Sequence, residues 1–117
     1  MSVYGIIYNI KNRKSSMIYS DNPDVFDIAS FCYNTLGLTR EIHIEVKELD
    51  ANGYCHDDGI VEISNSLTFK DFLVTICHEL VHCAQYEQNG HADEEEAYRL
   101  EEELYNLYMR KGSTSII

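Results

Sequence analysis

Within this 117-residue chain, the clearest chemistry lies in five residues, His78-Glu79-Leu80-Val81-His82. Histidines at i and i+4 stand one above the other on a single helix face, so both imidazoles can reach one metal ion. Glu79 is turned about 100° off that face. It does not ligate there, but it can reach a water on the metal. Zn²⁺ lowers the pKa of such a water to roughly 7, and a neighbouring carboxylate can then take its proton. The implied chemistry is hydrolysis by metal-activated water, with Glu79 as general base. A helix can also carry two histidines with no metal, and the flanks weigh between the two. On a helical wheel, Leu73, Ile76, Leu80, Cys83 and Ala84 cluster opposite His78. A histidine pair satisfied inside a core would sit within that apolar stripe; this one does not.

A catalytic zinc takes three protein ligands and a water, so a third ligand is needed. A histidine six residues after His82 would mark the metzincin pattern, but that place is Gln88. The remaining candidates are His91 and the acidic run from Asp93 to Glu101. On a wheel of the last helix, Ala97, Leu100, Leu104, Leu107 and Tyr108 form the expected buried stripe, and Glu95, Arg99, Glu102 and Glu103 point away from it. Glu94, Glu96 and Glu101 border it, and Glu94 and Glu101 share their border with Tyr98 and Tyr105. Glu94 ranks first, with Glu101 and Glu96 behind. An ideal helical hairpin reversing near Gly90 would nonetheless bring Glu101 nearer the metal, and His91 stays open.

His-Glu-x-x-His followed by Glu94-Glu95-Glu96-Ala97 resembles the gluzincin metallopeptidases, in their minimal single-domain forms, the minigluzincins and small phage-type peptidases. The resemblance spans about Gly53 to Glu101. It implies a zinc peptidase with His78, His82 and Glu94 as ligands, Glu79 as base, and a substrate lying extended along the strand before the motif helix, Ile60 to Ile63. One departure is Tyr98, which stands where such families often place an aspartate that supports a histidine. For the oxyanion donor the chain offers Tyr98, Tyr86, Tyr54 and His56; Tyr98, one turn from Glu94, is preferred. A second resemblance, to SprT-type proteases, rests on His78–His82 followed by Gly90-His91 and would make His91 the third ligand. The acidic charge and the lack of a Cys₄ ribbon weigh against it. A third alternative is a non-catalytic or latent metal-binding regulator, against which the intact Glu79 counts.

The elements that must position these residues follow from patterning. Val3 to Ile10 reads as a strand, with a basic turn at Lys11–Lys14 and a return at Met17-Ile18-Tyr19. Asn22 and Pro23 suit a helix start, and that helix carries Val25, Ile28, Ala29, Cys32 and Leu36 up to Gly37. Ile42, Ile44 and Val46 alternate with His43, Glu45 and Lys47, a half-buried strand with His43 on its polar side. Turns at Asp50–Gly53 and Asp57–Gly59 lead into the strand Ile60–Ile63. Thr68 and Asp71 form a capping pair, with Leu67 and Phe72 as a staple, for a motif helix running to about Gln88. A last helix spans about Ala92 to Arg110, with Gly112–Ser115 as a loose tail. The order is β-β-α-β-β-β-α-α. The expected fold is one α+β domain, a small mixed sheet with an N-terminal helix, the motif helix and a C-terminal glutamate-bearing helix.

The formal charge of −11 argues against a nucleic-acid partner, because phosphate binding needs a basic surface. The apolar runs are too short to span a membrane, and no secretory signal is visible at the start. A cytoplasmic protein acting on a peptide or protein is the expectation. Cys32, Cys55, Cys77 and Cys83 contain no C-x-x-C pair and read as free thiols, with Cys55-His56 as a weaker second metal site.

Overall fold

The computed structural model describes residues 6–9, 14–15 and 24–114. The elements run β1 (Ile6–Asn9), β2 (Lys14–Ser15), α1 (Asp24–Leu36), β3 (His43–Lys47), β4 (Gly53–Cys55), β5 (Ile60–Ser64), α2 (Phe69–Asn89) and α3 (Glu94–Thr114). The fold is α+β, in the expected element order. The five strands lie in the order β2-β1-β3-β5-β4. β3 and β5 are parallel and the other pairs antiparallel, so the sheet is mixed.

This order corrects one expectation. β5 lies inside the sheet, paired with β3 through Ile44↔Val61 and with β4 through Tyr54↔Glu62. Among the described strands, the edge on the motif side is therefore β4, not Ile60–Ile63. The chain runs from β3 out to the edge and then folds back, and β5 fills the gap. That insertion depends on pairing distant in sequence, which local patterning does not encode.

Local signals hold where their causes are local. Gly37 closes α1 with φ 72°, a left-handed conformation that glycine adopts without strain. The Thr68 hydroxyl accepts the Asp71 amide at 3.2 Å and starts α2. Gly90, at φ 83°, ends α2 by donating its N–H to the Gln85 and Tyr86 carbonyls. α3 begins two residues later than expected, because the Asp93 carboxylate accepts the Glu96 amide at 3.2 Å and so caps the helix. It also runs to Thr114 through Gly112, where a loose tail was expected; one glycine costs a helix only about 1 kcal/mol. The hairpin partner of β1 is Lys14–Ser15, which starts on the last residue of what reads as the basic turn, Lys11–Lys14. Pairing follows the backbone ladder rather than the next apolar side chains. The return at Met17–Tyr19 and the Asn22-Pro23 start lie outside the described residues.

α2 packs on β4 and β5 and holds α1 and α3 against its flanks. Ile76, Leu80, Cys83 and Ala84 on its apolar back are buried, together with Ile28 and Ala29 of α1 and Ile44, Val61 and Ile63 of the sheet. On α3, Ala97 and Leu104 are buried as expected, but Leu107 is 41% exposed. Tyr105 and Tyr108 pack against the core beside Leu100. Their rings reach the core, and Leu107 stands outside it. Among the described residues no helix is long and apolar enough to cross a membrane.

Candidate metal centre

α2 presents His78 and His82 one turn apart, with ring centroids 4.7 Å from each other and planes at 89°. Glu94, in the first turn of α3, reaches across to both. Its Oε1 lies 3.0 Å from His78 Nε2 and its Oε2 lies 3.4 Å from His82 Nε2. One ligand atom from each of these three side chains lies within 4.8 Å of the others, and they form the one such metal-competent group among the described residues. Two ligands at 2.0–2.1 Å from a tetrahedral zinc stand about 3.3 Å apart. The two Glu94–histidine separations leave the three side chains able to converge on one metal ion, without selecting which.

The far side of each ring is also held. His78 Nδ1 lies 2.8 Å from Glu101 Oε1, and His82 Nδ1 lies 2.8 Å from Gln85 Oε1. Gln85 is 3% exposed and fully bonded. Its Nε2 donates to the Asp93 carbonyl and to Glu96 Oε1, and its Oε1 also accepts the Asp93 amide. These partners fix which end of the amide is oxygen. His82 then carries a hydrogen on Nδ1 and turns Nε2 toward Glu94. Glu101, an acceptor, orients His78 the same way. Each Nε2 thus faces a Glu94 oxygen, as a hydrogen-bond donor when the ring carries both hydrogens and as a lone pair open to a metal ion when it carries one.

The sequence-level candidates separate in space. Glu101 sits two turns into α3, level with His78, because antiparallel helices bring the farther histidine opposite the later residue. It supports that ring from behind, the role the sequence lacked at Tyr98. Glu96 is bonded to Gln85, and the exposed His91 contacts only the carbonyl of Ala92, at 3.4 Å. Tyr98 is 63% exposed, its ring tilted against His78 at 4.8 Å. Tyr54 donates to Asp50 and His56 pairs with Glu62. Cys55-His56 forms no second cluster with metal-ligand spacing among the described residues.

Glu79 lies buried beside the histidines and lines a cleft of about 490 Å³ with Gly53, Thr75, His78, Glu94 and Tyr98. Burial pushes its carboxyl above the ordinary range. His78 and His82 oppose that rise, while Glu94 and Glu101 add to it. Two contributors to the site escaped the sequence reading. Gly53 reads as a turn residue, but a Cβ there would stand 2.9 Å from the Glu62 carbonyl oxygen and 3.2 Å from Glu79 Oε2. Only glycine lets β4 lie this close to Glu79. Gln85 reads as an ordinary helix polar residue, and no pattern in the sequence signals its four partners.

No family model, curated protein or solved structure matches this chain.

Proposed function

We propose that this chain is a zinc-dependent metallopeptidase of gluzincin type, acting on a peptide or protein in the cytoplasm. One observation carries the reading: a carboxylate, Glu94, opposite the Nε2 atoms of two oriented imidazoles, with a buried carboxylate, Glu79, beside them. His78, His82 and Glu94 would hold the metal. When bound, zinc polarises a carbonyl and makes water acidic enough to lose a proton near neutral pH. Glu79 takes that proton and passes it to the leaving amine. Glu101 and Gln85 keep the imidazoles in the ligating orientation. Tyr98 stands at the cleft with its ring on His78 and is the candidate donor to the developing oxyanion. β4, an edge among the described strands, offers its free backbone groups to an extended substrate.

Neither alternative gains an observation of its own. An SprT-type site needs His91 among the ligands, and His91 lies apart from the cluster. A purely metal-binding regulator has no use for a buried acid against the two histidines. The test is metal analysis of the purified chain together with Glu79→Gln. The expected result is about one zinc per chain in both proteins, with peptide hydrolysis reduced ~10²–10⁴-fold in the variant. Zinc in both and hydrolysis in neither would replace the enzyme with a binding module.

A further inference from the structure

The four cysteines, far apart in sequence, meet in two pairs. Cys32 of α1 and Cys77 of α2 stand with sulfurs 3.5 Å apart, and both residues are fully buried. Cys55 of β4 and Cys83 of α2 stand closer, with sulfurs 3.2 Å apart. The two pairs differ in access. Cys83 is 1% exposed, whereas Cys55 is half-buried on the edge strand. A disulfide sets its sulfurs about 2.05 Å apart, so closing the Cys55–Cys83 gap needs each sulfur to move roughly half an ångström.

We propose that Cys55 and Cys83 form a dithiol modification site, oxidised reversibly by small-molecule disulfides. The sulfur of Cys55, after losing its proton, attacks one sulfur of the incoming disulfide. That S–S bond breaks, and the departing thiolate takes up a proton. The Cys83 sulfur then attacks Cys55 in the mixed disulfide, a second small thiol leaves with the Cys83 proton, and the protein S–S bond is made. The protein loses two hydrogens and two electrons, and one small disulfide becomes two thiols. The outer cysteine captures and the inner one resolves, because only the outer one meets solvent. The product ties the edge strand to α2 at the residue after His82, and so fixes the strand that bears Gly53 against Glu79. The site does not depend on the metal reading, since neither sulfur belongs to the His78–His82–Glu94 group.

The test exposes the folded 117-residue chain to oxidised glutathione, with and without a chelator. Free thiols are then alkylated under denaturing conditions and the peptides mapped by mass spectrometry. The expected product is a Cys55–Cys83 cross-linked peptide under both conditions, reversed by dithiothreitol, with Cys32 and Cys77 alkylated. Four alkylated cysteines, or a Cys32–Cys77 cross-link formed first, would overturn the proposal. In Cys83→Ala the resolving sulfur is gone, so the glutathione adduct should accumulate on Cys55. A Cys55 that stays unmodified in that variant overturns the capture step.

Discussion

Glu79 is buried beside the two histidines, and burial has a thermodynamic consequence that can be measured without any ligand. Its folded-state pKa is raised above the ordinary value, so in metal-free protein its ionisation opposes folding. Stability present below the ordinary glutamate pKa is then lost as pH rises through the raised folded value. Glu79→Gln keeps the shape and removes the charge. In excess chelator the variant should melt at a higher temperature than the parent at neutral pH. The two melting curves should coincide below about pH 4, where the parent carboxyl is protonated in both states. Equal midpoints at every pH would mean that the metal-free site already relieves the charge.

At the scale of elements, the site is a junction of two helices, and Gln85 is its clamp. It ties His82 on α2 to Asp93 and Glu96 at the start of α3, which brings Glu94 in the first turn between the histidines. Gln85→Leu fills similar volume but leaves the Asp93 amide and His82 Nδ1 without partners. Zinc affinity should fall about 10–100-fold with helical content retained; unchanged affinity in a chelator competition would reduce Gln85 to ordinary packing. A second clamp lies two residues further along the same end of α2. The Glu87 carboxylate accepts the Thr39 hydroxyl at 2.6 Å and the Thr39 and Arg40 amides, and these bonds hold its pKa below the ordinary range against a smaller desolvation effect. A lowered folded pKa contributes stability above the ordinary value, which is lost as pH falls through the folded one. Glu87→Gln should therefore cost at most about 1 kcal/mol at pH 7 in urea unfolding, because solvent screens a carboxylate so little buried, and the difference should shrink below about pH 4. What the sequence disclosed divides along the same line. Caps, stops and helix faces were legible at Thr68, Gly37 and Gly90, because their causes lie within a few residues. The convergence of Glu94 on the two histidines was legible in part, since a wheel shows which border a residue occupies but not how two helices cross. Gly53, Gln85 and the cysteine pairs were invisible, because each has its cause in a contact between distant segments.

Across the whole molecule, the edge-then-return path of the chain sets an order of assembly. β4 and β5 form a hairpin whose turn closes through the Gly59 amide on the His56 carbonyl, a local event. The parallel contact of β5 with β3 must bring His43 to Ile60 across the whole of that hairpin, and parallel pairing repays its loop-closure entropy only once formed. The hairpin is therefore expected to fold first and dock as a unit. Its turn depends on Gly59, at φ 95°, where a Cβ would stand 2.8 Å from the Glu41 carbonyl oxygen. In chevron kinetics, Gly59→Ala should slow folding more than it speeds unfolding, giving a φ-value above about 0.5; a loss expressed only in the unfolding limb would place the hairpin late. The same path means that nascent chains carry a time window in which β5, destined for the interior, is still an open edge. Self-association during refolding should then grow with protein concentration and fade once β3 has closed over it.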